Sequence, residues 1–306
     1  MSLPIAGVLP IVHTPFTTSD EIDLVSFRRQ IDWAFSVGAD GVATGMVSEL
    51  LRLTTDERLE LTDKVPEMAA LRGAVVMSVG AESRRQALEY AHRAEAAGCD
   101  AVMAIPPLST ALPAEELLAY YCTLADAIRL PIIVQDASGY VGQPIPLEVC
   151  VQLLKRYGAE KILFKPEASP IGTNLSLLRD RTAGRARVLE GSGGILLIDS
   201  FRRGIVGTMP GMEFLDGIVP LWRALRRGDD ETAYALYYPI CALVALQMQA
   251  GLDGFLAVEK YLLHRRGLFE TDLRRGPYRW SLDPETQAEI DRLWARLQTA
   301  ITKNSR

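Results

Sequence analysis

The sequence predicts an α/β chain folded as a (β/α)8 barrel with a C-terminal helical extension. Three observations predict it. Short apolar runs alternate with amphipathic helical stretches, giving eight β/α units in about 210 residues. No Gly-x-Gly-x-x-Gly follows the first run, which counts against an open dinucleotide-binding sheet. The polar residues of chemical interest gather at the C-terminal ends of the runs, where sites lie in a barrel of this kind.

The units follow in order. Gly7 to Val12 is the first run, and Asp23 to Phe35 has helical spacing after it. Residues 41–44 form the second run, followed by a helix from Thr55 to Ala70, with Thr54, Thr55, Asp56 and Glu57 supplying cap residues and early acids. Ala74 to Val79 leads to a helix over Ser83 to Ala97. Asp100 to Ile105 stops at Pro106-Pro107, and Pro113 suits the first position of a helix reaching Ile128. Pro131 to Asp136 precedes a helix from Leu147 to Tyr157. The last three runs are 161–167, 187–191 and 204–209. Beyond them the spacing predicts helices over 214–226, 230–251, 255–265 and 284–301. Residues 1–212 are therefore expected to form the barrel and 213–306 a helical extension packed on it, as one structural unit.

Composition narrows the function. The chain has 306 residues, 48% of them hydrophobic, enough for a large core. A net charge of −5 gives no basic patch for nucleic acid. The apolar runs are short and interrupted, so no membrane span is expected. Met1 to Pro4 do not read as the start of a signal peptide, and a cytoplasmic location is expected. The cysteines, 99, 122, 150 and 241, show no CxxC spacing and read as buried thiols in a reducing compartment. The histidines, 13, 92 and 264, form no HxH or HExxH pair, so a metal site built on histidines is not expected, nor is a cofactor.

The stretch Lys161 to Glu167 carries the chemistry. Ile162, Leu163 and Phe164 read as a strand buried on both faces. Lys165 ends it, where a buried amine is costly unless used or paired. Strand alternation puts Lys165 and Glu167 on one side. Pro166, without an N–H, marks where pairing should stop. An amine beside a carboxylate is either a salt bridge that caps the strand or a nucleophile with a proton carrier. The other strand ends offer Gly45 to Glu49, Gln135-Asp136, Glu190 to Gly194 and Met209 to Gly211. A lysine taken out of water attacks a ketone as the free amine, so the set suits a Schiff-base enzyme acting on a 2-oxo acid. The turn holding Val47 and Ser48 offers N–H groups and a hydroxyl for a substrate carboxylate. Gln135 orients substrate or closes the barrel, and Gly191 leaves room beside the backbone. Glu190 reads more readily as a structural hydrogen-bond partner than as a catalyst.

These residues resemble a known family. The run from Gly7 to Phe16, Ser48-Glu49 followed by Leu53 to Arg58, the Pro106-Pro107 pair and a lysine closing the sixth strand are similar to the dihydrodipicolinate synthase/N-acetylneuraminate lyase family over about residues 5–300. The resemblance implies a (β/α)8 barrel, a homotetramer and a Schiff base, by position on Lys165. It also implies a substrate site that includes Val47, Ser48, Gln135, Gly191 and Met209. There are departures. Gly45-Met46-Val47-Ser48-Glu49 stands where the founding members carry Gly-Thr-Thr-Gly-Glu. Gln135 replaces a proton-relaying tyrosine, Tyr140 a substrate-gripping arginine, and Leu108 and Ser109 a tyrosine pair. Val134 to Ala137, the Ser-Glu turn, Lys165-x-Glu167 and 204–222 resemble the subgroup of 2-keto-3-deoxy-L-arabonate dehydratases. There the glutamate two residues past the lysine, here Glu167, takes over acid/base work. The resemblance thus implies dehydration of a 2-keto-3-deoxy sugar acid. Pyruvate-dependent aldol chemistry, a synthase-type condensation and a non-catalytic 2-oxo acid binding barrel are the alternatives.

Overall fold

The computed structural model describes residues 3–304, so Met1 and Ser2, half of the segment read for a signal peptide, lie outside the described residues. Among the described residues eight strands alternate with helices: β1 (Gly7–Val8), α1 (Leu24–Ser36), β2 (Gly41–Ala43), α2 (Thr55–Ala69), β3 (Ala74–Ser78), α3 (Arg84–Ala96), β4 (Ala101–Ala104), α4 (Ala114–Ala127), β5 (Ile132–Asp136), α5 (Leu147–Tyr157), β6 (Ile162–Pro166), α6 (Ile171–Arg181), β7 (Leu189–Glu190), α7 (Leu197–Arg202) and β8 (Gly207–Thr208). Four further helices follow among the described residues: α8 (Leu215–Arg227), α9 (Asp230–Met248), α10 (Leu252–Arg265) and α11 (Pro284–Asn304). This is the (β/α)8 order with a helical C-terminal part.

Contacts divide the chain into two compact units. The first comprises residues 3–6, Thr54–Gly191 and Asp199–Thr208. Its strands run parallel in sequence order. Val76 pairs with Ala101, Val102 with Ile132, and Gln135 with Lys165. A bridge joins Phe164 to Val188, and Glu190 pairs with Thr208. Val76, Val102, Ile133 and Leu163 are fully buried, as expected of strands covered on both faces. The second unit comprises Gly7–Leu53, Ser192–Ile198 and 209–304. Ile11 bridges to Ala43 in it, and α9 packs on both α8 and α11. Gly217 makes that packing close, because a Cβ there would lie 3.1 Å from Leu297 Cδ1.

Local chemistry sets several boundaries. Pro10 has no N–H to donate, and the first run is a paired strand only over Gly7–Val8 with one further bridge at Ile11. Pro113 is the N-cap of α4 rather than its first residue, with ψ of 159° still extended. The expected helix over 230–251 ends at Met248, because Gly251 adopts φ 58° and starts α10 three residues earlier than the spacing suggested. Pairing does not stop at Pro166: the Glu167 N–H donates to the Asp136 carbonyl at 3.0 Å. Helix α6 had no clear signature, since only Leu175 and Leu178 of it are buried.

Candidate active site

Strands β5 to β8 of the first unit carry the polar cluster. Lys165 follows Phe164 in β6, and alternation turns its side chain to the face shared with Glu167. Its Nζ lies 2.8 Å from Glu167 Oε1, both groups being buried. Gln135, register partner of Lys165, donates from Nε2 to Glu167 Oε2 at 2.7 Å. The carboxylate is therefore held at both oxygens by different strands. Burial pushes the Glu167 carboxyl above its ordinary range; Lys165 and Gln135 pull it back, and Glu190 pushes it further up. A carboxyl shifted this way exchanges protons nearer neutral pH, as acid/base work requires.

The neighbouring strands shape the surroundings. Glu190 is buried and accepts a hydrogen bond from Thr208 Oγ1 at 2.9 Å. Gly191 follows it, and a Cβ there would lie 2.6 Å from Lys165 Nζ and 2.7 Å from Glu167 Oε1. Only glycine leaves the amine approachable from that side. The structure thus brings Lys165, Glu167, Gln135 and Gly191 together. A cleft of about 290 Å³ opens on the opposite face of β5 and β6, lined by Val134, Asp136, Cys150, Phe164 and Pro166. Alternation turns Lys165 and Glu167 away from it.

Val47, Ser48 and Met209 belong to the second unit. Val47 and Ser48 sit in a short 3₁₀ turn, Met46–Ser48. The Ser48 hydroxyl is engaged inside this turn: it donates to the Val12 carbonyl and accepts the Gly45 N–H at 3.0 Å. Met209 is buried directly after β8.

The same unit holds a polar cluster that local spacing does not reveal. His13 Nε2 lies 2.7 Å from Glu259 Oε2. Gln247 Nε2 donates to Glu213 Oε1 at 2.8 Å. All four side chains are buried. Burial drives His13 down to about 4, Glu213 up to about 7 and Glu259 up to about 8. Beside them Lys260 forms a fully buried ion pair with Glu49. Glu49 takes φ 57° and ψ 28°, a backbone region that costs a non-glycine residue, and its carboxylate is also held by Arg52 at 3.2 Å. The visible signal was a polar pair breaking an apolar run, His13-Thr14 after Ile11-Val12 and Glu259-Lys260 within Phe255 to Leu263.

A (β/α)8 fold with a buried lysine–carboxylate pair at the end of its sixth strand defines a lyase scaffold. The chain belongs to the dihydrodipicolinate synthetase family, whose profile matches residues 4–295. It is 30% identical over 303 residues to an L-2-keto-3-deoxyarabonate dehydratase of Azospirillum brasilense, covering 97% of this chain and 96% of that one. It is 29% identical over 244 residues to a 4-hydroxy-tetrahydrodipicolinate synthase of Methanosarcina mazei, covering 78% and 81%. The crystal structure of dihydrodipicolinate synthase from Rhodopseudomonas palustris superposes with a TM-score of 0.84 at 28% identity, covering 95% of this chain and 97% of that one. Family members are lyases of the dehydratase, aldolase or synthase kind. No described helix is long and apolar enough to cross a membrane.

Proposed function

We propose that this chain is a Schiff-base lyase that dehydrates a 2-keto-3-deoxy sugar acid such as 2-keto-3-deoxy-L-arabonate. One observation carries the reading: Glu167 Oε1 lies 2.8 Å from Lys165 Nζ, with Gln135, which has no proton to relay, fixing the other oxygen. A proton carrier is thereby stationed beside the only group in the cluster able to form an imine. The relationship to the Azospirillum dehydratase over nearly the whole chain supports the same choice.

The steps balance as follows. The Lys165 amine adds to the C2 ketone and, with a proton supplied by Glu167, expels water, giving an iminium beside the Glu167 carboxylate. Glu167 takes a proton from C3, and the electron pair forms an enamine. The enamine expels the C4 hydroxyl, which leaves as water with the proton held by Glu167. Loss of a C5 proton, reprotonation along the chain and hydrolysis of the imine release a semialdehyde and the free lysine. Positioned acid/base help of this kind is worth roughly 10²–10⁴-fold. Val47, Ser48, Gly191 and Met209 are assigned to substrate binding in this proposal, and the homotetramer and the cytoplasmic location belong to it too.

A second reading, aldol or condensation chemistry with pyruvate, draws on the relationship to the Methanosarcina synthase. It shares every step up to the enamine. The discriminating experiment reduces the enzyme with borohydride in the presence of 2-keto-3-deoxy-L-arabonate or pyruvate and locates the label by peptide mass. Label on Lys165, lost in Lys165→Ala, together with semialdehyde and no pyruvate from the unreduced reaction, supports dehydration. Pyruvate among the products selects the aldolase reading. Absence of label with either compound overturns the Schiff-base assignment.

A further inference from the structure

We infer that His13, Glu213 and Glu259 bind one first-row divalent transition-metal ion in the second unit. Three segments far apart in sequence bring these donors together. His13 follows β1, Glu213 precedes α8 and Glu259 lies within α10. One ligand atom from each lies within 4.8 Å of the others. Two ligands across a metal at bond lengths of about 2.1 Å are separated by about 4.2 Å, so small side-chain movements close the set.

The cluster is rich in acceptors that have no donor. His13 Nδ1, Glu213 Oε2 and Gln247 Oε1 are buried with no hydrogen-bond partner among the described residues. Each such atom costs free energy unless something satisfies it. Two carboxylates share the site, and the nearby Lys260 ammonium is already paired with Glu49. A dication balances both charges.

Both carboxylates pack against a glycine. A Cβ on Gly211 would collide with Glu213 Oε2 and lie 2.8 Å from Glu259 Oε1. Gly211 is outside the positive-φ region, so its backbone does not require glycine; the close approach of the two carboxylates does. Outer contacts hold the donors in place, as they do around metal ligands generally. Gln247 fixes Glu213 Oε1, and Gln30 clamps the His13 backbone, accepting its N–H at 2.9 Å and donating to its carbonyl at 2.6 Å. One imidazole with two carboxylates and no thiolate is a borderline donor set that fits Mn²⁺, Fe²⁺, Co²⁺ or Zn²⁺ better than Ca²⁺.

The test uses the full chain, stripped with chelator, then incubated separately with Mn²⁺, Co²⁺ and Zn²⁺ and desalted. Metal is counted by elemental mass spectrometry, and Co²⁺ is also read by its visible absorption. The expected result is about one ion per chain with a rise in melting temperature, as ligand binding to the folded state requires. Glu213→Gln, which keeps shape, and Gly211→Ala, which keeps every donor but pushes both carboxylates out of place, should both lose the ion. Glu160→Gln, at an exposed position, should keep it. Wild-type protein that takes up none of the three ions and shows no melting shift overturns the site, leaving a proton shared by Glu213 and Glu259. Uptake undiminished in both Glu213→Gln and Gly211→Ala overturns it as well, since the ion then sits elsewhere.

Discussion

Glu167 is held by a cation on one oxygen and an amide on the other, and its protonation follows from that environment. Burial raises its proton affinity above that of an ordinary carboxyl. As a base it works only when ionised, so turnover should rise with pH through a value above the usual carboxyl range. Glu167→Gln removes that ionisation. The expected outcome is a loss of roughly 10²–10⁴ in kcat with Lys165 still trapped by borohydride, and a kcat/KM profile that has lost its acidic limb. A profile unchanged from wild type would remove Glu167 from the proton transfer. Lys165 and Glu167 were legible in the sequence because an apolar strand ending in Lys-Pro-Glu is locally unusual and alternation fixes their common face. The bond from Gln135 was not, since it depends on the β5–β6 register, which no local pattern states.

Helix α2 shows what one element owes to its first turn. Thr54 Oγ1 accepts the Glu57 N–H at 3.2 Å, and Glu57 Oε2 accepts the Thr54 N–H at 2.7 Å, a reciprocal capping box. Thr54→Ala should destabilise the protein by about 1 kcal/mol in urea unfolding, with the site chemistry intact. This element was readable in advance, because cap residues and helical spacing are both local. The two-residue strands β7 and β8 were readable only as apolar runs of five and six residues. Chain composition marks where a strand can form, while pairing partners decide how much of it does. The break between α9 and α10 was readable from the sequence and only its position moved: α9 ends at Met248 and α10 starts at Leu252, with Gly251 at positive φ between them.

At the scale of the molecule, the fold class was legible because eight repeats of one pattern are hard to produce otherwise. The charges buried in the second unit were not legible, because their partners are distant in sequence. Lys260 from α10 pairs with Glu49, donates to the Leu273 carbonyl at 2.8 Å and stands 4.3 Å above the Phe16 ring. Removing one member of such a pair strands the other in a medium that cannot solvate it. Lys260→Met should cost about 3–5 kcal/mol in denaturant unfolding, and adding Glu49→Gln should recover part of that loss. A double variant no more stable than the single one would show that the ammonium acts through Leu273 and Phe16 instead.

The double anchoring of Glu167 has a stereochemical consequence. A carboxylate tied at both oxygens cannot swing to the far side of a bound substrate. Under the proposed reaction, the C3 hydrogen and the C4 hydroxyl then depart from the same face, a syn elimination. Substrate carrying deuterium at one C3 position only should lose the label from one epimer and retain it from the other, and scrambled loss would mean that Glu167 is not the single carrier. The sugar acids open to this enzyme are in that case those whose C4 hydroxyl lies on the Glu167 side, so handedness of substrate is set by the two contacts that fix that carboxylate.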